Sequence, residues 1–222
     1  MDTITGVGVL DKAMLVVSAV SDHPMSLAEL QQATDLPRAT THRLAAALET
    51  HAVLRRDGAG RYDLGPGLVA LGRAAERRFG LTDLARPVLA ELAAATDEGI
   101  QLFVREGASR RCVISIESPH GLRWIVPEGA LLPLSVGSAG RLLEGEEGPD
   151  GWIESVGERE AGVASVSSPV RTADGGVVAA VSVSGPIERL TRHPGPRHGA
   201  AVVAAAARIR PEAHPRPNSL DP

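Results

Sequence analysis

Apolar positions recur at helical spacing through the first third of the chain, and at alternating, strand-like spacing through much of the second half. In VLDKAMLVVSAV, Val9, Leu10, Ala13, Met14, Val17 and Val20 fall on one helix face, and the proline of DHPM ends the run. SLAELQQA opens a second helix: Ser26 is a good N-cap, and Glu29, three residues on, completes a capping box. After the break TDL, Pro37 occupies a first-turn position, where its missing N–H costs nothing. The third helix runs to about His51. Its spacing puts Thr40, Leu44, Ala47, Leu48 and His51 on the core face, and Arg38, Thr41, His42, Ala45 and Glu49 elsewhere. AVLRRDGAGRYDLG then predicts short strands over 53–56 and 61–64, joined by a turn in which glycine supplies positive φ.

The segment GPGLVALGRAAERRFGLTDLARPVLAELAAAT is strongly helical, with a joint at Gly80. After Thr96 the period changes. GIQLFVREG, RRCVISIES, LRWIVPEG, GVASVSSPV and GVVAAVSVSG read as strands, mostly bounded by glycine, proline or Asp-Gly, and EGAS joins the first two as a hairpin. SAGRLL is a short helix between strands, and GPRHGAAVVAAAARI a C-terminal helix. The pattern predicts an α+β chain: a winged helix-turn-helix over residues 1–65, linker helices over 66–97, and a sheet-containing domain over 98–212. A proline-rich tail, 213–222, is expected to be disordered.

Composition narrows the function. The chain has 222 residues and a net charge of −4, so any nucleic-acid surface must be local. Its single cysteine, Cys112, excludes an intrachain disulfide and a multi-cysteine metal site. No apolar run approaches the ~20 residues a membrane span needs, and a cytoplasmic protein is expected. Aromatic residues are only 2%, too few for base-stacking platforms on single strands.

The polar start of the third helix is the strongest chemical signal. A recognition helix enters the major groove N-terminus first, so its first turn needs groups that reach base edges or phosphates. Arg38, Thr40, Thr41, His42 and Arg43 supply them: arginine can pair with guanine, and threonine can touch a phosphate or a thymine methyl. Behind them the hairpin carries Arg55, Arg56, Arg61 and Tyr62, a wing able to lie along the backbone or minor groove. Asp35 stands where the turn of such motifs often has glycine, but aspartate tolerates the left-handed region.

Enzymatic readings find less support. VGSAGR is not the G-x-S-x-G elbow, and no G-x-G-x-x-G opens a helix after a strand. Cys112 follows Arg110 and Arg111, which would favour its thiolate, but the strand-like RRCVIS suits a structural thiol better. The seven histidines show no metal-ligand spacing, and Glu144, Glu146 and Glu147 read as a solvated acidic loop. No cofactor, metal or catalytic residue is assigned. The alternatives to a regulator are a metabolite-binding module that does not bind an operator and, more remotely, a serine hydrolase.

GVLDKAMLVVSAV, SLAELQQATDLPRATTHRLAAALETHAVLRRDGAGRYDLGPGLVALG and PVRTADGGVVAAVSVSGPIERL together resemble the IclR family of bacterial transcriptional regulators. GVGVLDKA, SVGEREAGVASVSSPV and VVAAVSVSGPIERLTRHPG are most similar to the actinobacterial branch controlling amino-acid genes, notably leucine biosynthesis. The resemblance implies a C-terminal effector-binding domain with a curved antiparallel sheet and flanking helices. It also implies a homodimer, sometimes paired into a tetramer, on a palindromic double-stranded operator. The effector it implies is a small carboxylate or amino-acid-related metabolite. Carried over by motif, the effector site comprises Ser138, Ala139, Ser155, Ser165, Ser182 and Ser184. One departure is the short connection EGEEGPDGW, near 144–151, where family members have a longer helical stretch. It predicts a more open pocket.

Overall fold

The computed structural model describes residues 7–211, leaving the side chains of residues 76–79 aside. The chain divides into two compact units, one ending at Arg78 and one beginning at Phe79.

The first unit consists of helices α1 (Gly8–Ala19), α2 (Leu27–Thr34) and α3 (Arg38–Thr50), strands β1 (Leu54–Arg56) and β2 (Tyr62–Leu64), and helix α4 (Pro66–Phe79). The capping box forms: the Glu29 amide donates to Ser26 Oγ at 3.3 Å, and the Ser26 amide donates to Glu29 Oε2 at 2.7 Å. Two otherwise unpaired amide donors at the start of α2 are thereby satisfied. Asp35 ends α2 in the left-handed region at φ 53°, so the turn into α3 tolerates the charged residue. The core joins Val16, Val20, Leu30, Ala45, Leu54 and Tyr62.

Two expected helix faces are kept in part: Val17 and Val20 are buried, and Leu44 and Leu48 pack against the core. On α1, Val16 and Val17 are buried, whereas Val9, Leu10 and Met14 are more than half exposed. On α3, Thr41 and Ala45 face the core and Ala47 is exposed. The apolar spacing alone admitted either stripe on α3, because alanine and threonine carry little hydrophobic bias. Packing against α1 and α2 selected the side that carries Thr41 and Ala45. Gly65 allows a close approach after β2, since a Cβ there would lie 2.2 Å from the Ala52 carbonyl oxygen.

The second unit begins with α5 (Leu81–Thr96). The predicted 66–97 stretch is thus divided: α4 belongs to the first unit up to Arg78, Gly80 intervenes at φ +55°, and Leu81, Ala85, Val88, Leu89 and Leu92 of α5 enter the core of the second. The rest comprises β3 (Gly99–Glu106), β4 (Ser109–Ile116), β5 (Leu131–Pro133), α6 (Ser138–Glu144), β6 (Ile153–Val156), β7 (Val163–Arg171), β8 (Val177–Pro186), α7 (Ile187–Leu190) and α8 (Pro194–Arg208). Six antiparallel strands form one curved sheet in the order β5-β4-β3-β8-β7-β6. LRWIVPEG is not the expected strand; the pairing partner of β4 is the shorter β5. Trp124 and Val126 of that segment instead turn toward a second apolar cluster. Strand β6 lies in WIESVG, where strong alternation is absent.

Alternation assigns the two faces of the sheet. Ile100, Leu102, Ala164, Val166, Val181 and Val183 pack with α5 and α8. The opposite face presents Gln101, Phe103, Ser165, Ser182 and Ser184, and packs Ala180 and Phe103 with Ala139, Leu142 and Leu143 of α6. A bulge between β3 and β4 changes this pattern locally: Leu102 pairs with Ile114, but Phe103 pairs with Cys112, leaving Val113 as the extra residue. Ile114 therefore joins the helix-covered core while Cys112, two residues earlier, joins the α6 side. Arg110, in phase with Cys112, is delivered to that same side. The expected tail, 213–222, lies outside the described residues.

Candidate functional site

In the first unit, α3 presents its first turn as a cationic tip. Arg38, His42 and Arg43 are exposed and Thr40 is half-buried. None of the three cationic-type side chains has an ion pair or side-chain hydrogen bond within the described residues. No side chain caps the helix start, and the Arg38 and Ala39 amides have no acceptor among the described residues. Such a start attracts anions through free N–H groups and the helix dipole.

Thr41 does not belong to this surface. It is fully buried, and its Oγ1 donates toward the carbonyls of Leu36 and Pro37 at 3.4 and 3.2 Å. Its role is to fasten the helix start to the preceding turn, correcting its assignment as a DNA contact. Tyr62 is corrected likewise: only 1% exposed, its ring fills the core, and its hydroxyl accepts from Arg56 Nη2 at 2.5 Å. The Arg56 guanidinium also lies 4.3 Å from the Tyr62 ring centroid and 3.3 Å from Glu49.

Of the remaining wing arginines, Arg55 is exposed and Arg61 half-buried, and both are partnered. Arg55 pairs with Asp63, and Arg61 reaches Glu29 at 3.4 Å. These are surface pairs, each worth about 0–1 kcal/mol, so the side chains are available to exchange a carboxylate for a phosphate.

In the second unit, a cleft of about 40 Å³ opens between the sheet and the start of α6. Gln101, Phe103 and Arg110 line it from β3 and β4, Ser165 from β7, and Ser182 and Ser184 from β8. Gly137, Ser138, Ala139, Trp124, Val126, Arg159 and Val163 complete its wall. Five of the six predicted effector residues therefore meet here. Ser155 does not line the cleft: it is buried on β6 opposite Ser165, one strand further toward the sheet edge. That displacement corrects its assignment.

The serines are largely occupied with one another. Ser138 Oγ lies 2.7 Å from both Ser165 Oγ and Ser167 Oγ, and Ser184 Oγ donates to Gln101 Oε1 at 2.7 Å. Ser182 Oγ makes no such bond. The charge lies elsewhere. Arg110 is 3% exposed, and its Nη1 donates to the carbonyls of Pro133 and Val136, the latter at 2.8 Å. Burial first, and then the nearby Arg159 guanidinium, lower its pKa to about 10. Burial likewise lowers the pKa of Arg159. Cys112 is a buried thiol whose pKa is raised to about 12, chiefly by burial, so the preceding arginines do not activate it.

A protein-family model described as the IclR helix-turn-helix domain matches residues 9–58. A second, described as the bacterial transcriptional regulator IclR C-terminal, matches 74–147 and 148–210. The chain belongs to the IclR family.

It is similar to the HTH-type transcriptional regulator KipR of Bacillus subtilis, with 31% identity over 133 residues, 60% of this chain and 53% of KipR. It is also similar to TtgV of Pseudomonas putida, with 33% identity over 141 residues, 62% of this chain and 54% of TtgV. The chain spans about half the length of these curated relatives. Among solved structures, an IclR homologue from Microbacterium hydrocarbonoxydans, complexed with 4-hydroxybenzoate, matches with a TM-score of 0.77. That match has 19% identity and covers 91% of this chain and 97% of that one. At this identity the likeness shows the fold. The family models describe transcriptional regulators rather than enzymes.

The cleft of this IclR-family chain contains residues that the sequence reading did not single out as a site: Gln101, Phe103, Arg110, Trp124, Val126, Gly137, Arg159 and Val163. Alternation along GIQLFVREG placed Gln101 and Phe103 on one face, which was a usable signal. Arg110 carried none, because the bulge that turns it inward is set by the pairing of β3 with β4.

Proposed function

We propose that this protein is a sequence-specific DNA-binding transcriptional regulator whose C-terminal unit senses a small metabolite. The observation that carries this reading is the unpaired tip of α3: Arg38, His42 and Arg43 stand exposed beside free helix-start amides. These groups suit base edges and phosphates, with Thr40 beside them, while Arg55, Arg56 and Arg61 supply the wing. Arg38 and Arg43 are the base-reading candidates and Arg61 a backbone contact.

The effector is a carboxylate or an amino-acid-related metabolite held at Ser138, Ala139, Ser165, Ser182 and Ser184. Control of amino-acid genes, as in the leucine branch of the family, is the finer reading, supported by the motifs GVGVLDKA and VVAAVSVSGPIERLTRHPG. The protein works in the cytoplasm as a homodimer, or as paired dimers, on a palindromic operator, because half-site symmetry mirrors protein symmetry. No helix among the described residues is long and apolar enough to cross a membrane. An effector shifts the populations of DNA-competent and incompetent states to the extent that it binds them unequally.

The test is footprinting on the promoter upstream of its own gene, with and without amino acids and small carboxylic acids. A protected palindrome whose occupancy changes with one metabolite is the expected result. Indifference to every duplex tried, at low salt, defeats the DNA reading.

A further inference from the structure

The effector cleft carries two cations that no carboxylate among the described residues pairs with. Arg110 and Arg159 both line it, and among the described residues neither takes part in an ion pair. Arg110 uses only Nη1, on two backbone carbonyls; its buried Nε has no partner. Arg159 makes no side-chain hydrogen bond among the described residues. Each guanidinium instead lies over an aromatic ring, Arg110 at 5.2 Å from the Phe103 centroid and Arg159 at 4.8 Å from that of Trp124. Burying one uncompensated charge is unfavourable, and placing two beside one wall adds their repulsion.

The nearby carboxylates relieve this only in part: Glu160 attracts Arg159 without forming an ion pair with it. Glu158 accepts from the Gly137 amide at 2.8 Å and pairs with Arg141, also at 2.8 Å. Glu160, next to Arg159 in the chain, is exposed. The Pro133 and Val136 carbonyls fix the Arg110 fork, and the bulge between β3 and β4 points it into the cleft. The unpaired Ser182 hydroxyl faces the same space.

We propose that this cleft is built for a small dianion, a short dicarboxylate or a compact phosphate, with Arg110 and Arg159 each compensating one negative charge. The proposal rests on the reading of the C-terminal unit as a metabolite sensor and adds the charge of the ligand. A monoanion leaves one guanidinium uncompensated; a neutral ligand leaves both. Guanidinium forks match carboxylate and phosphate oxygens bidentately, which adds geometric selection to charge.

The test uses the full chain in calorimetric titrations and thermal melts at constant ionic strength. The probes are oxalate, malonate, succinate, inorganic phosphate, acetate, 4-hydroxybenzoate and malonamide. At least one dianion is expected to bind about 10- to 100-fold more tightly than acetate, the factor for one added charge-assisted interaction. Malonate or succinate as the tightest probe identifies a dicarboxylate site, and phosphate as the tightest a phosphoryl site. The R159Q variant is expected to lose most of the dianion preference while acetate affinity stays nearly constant. Its unliganded melting temperature is expected to change little, because loss of the repulsion from Arg110 offsets loss of the Trp124 contact and of the attraction to Glu160. R159M checks that result with the alkyl stem kept.

No binding by any dianion, equal affinity for acetate, or an unchanged dianion preference in both variants overturns the proposal. Tight binding of 4-hydroxybenzoate or malonamide instead, with an altered footprint, also overturns it but leaves the sensor reading intact. A footprint that no metabolite alters sinks the sensor reading itself.

Discussion

Replacing Arg38 and Arg61 separately by alanine distinguishes a base-reading residue from a backbone-positioning one. Arg38 stands in the first turn of α3, exposed and unpaired, so R38A removes no intrachain bond and should leave stability within about 0.5 kcal/mol. If its fork pairs with guanine, the loss at the native operator is about 1–3 kcal/mol, a factor of roughly 5 to 150 in Kd, confined to one base-pair position per half-site. Arg61 differs: it sits on the wing, 3.4 Å from Glu29, and must leave that surface partner to meet a phosphate. R61A should weaken all duplexes alike. Each lost phosphate contact also reduces the slope of log K against log salt by about 0.9, so between about 50 and 200 mM salt it removes roughly a 3- to 4-fold change in affinity. The assay is fluorescence anisotropy on the operator and on single-base variants, at several salt concentrations. An R38A loss spread evenly over all variants, or an R61A loss restricted to one base pair, refutes this division of roles.

Thr41→Val should lower stability by about 1 kcal/mol in urea titration, through loss of its bonds to the Leu36 and Pro37 carbonyls, with operator specificity unchanged. A specificity change instead would return Thr41 to the DNA surface. His198 is buried with no partner for Nε2, and burial, followed by Arg197, lowers its pKa. Its unfolded form binds a proton more readily, so stability is full above about pH 6.5 and falls as pH drops toward the lower folded value. His198→Gln should flatten that part of the pH–stability curve, and an unaltered curve assigns the dependence elsewhere. Cys112 should resist thiol reagents at neutral pH until the chain is unfolded, since its pKa is about 12 and it is buried; rapid labelling of the native protein contradicts this.

The local sequence determined those elements whose signals act within a few residues. The Ser26–Glu29 capping box, the left-handed Asp35 and the glycine-containing wing turn depend on short-range backbone geometry, and were legible for that reason. So was the meeting of Ser182 and Ser184 on one face of β8, since strand alternation is a property of the chain alone. The carried-over motifs placed Ser138, Ala139 and Ser165 in the same cleft. Which stripe of α3 turns inward was decided by packing, because Thr41 and Ala45 are no more apolar than Thr40 and Ala47. The separation of Ser155 from the cleft, and the inward turn of Arg110, followed from strand order and from one bulge. A single inserted residue reverses every side chain beyond it, and its position is fixed by pairing between strands, which no local pattern records.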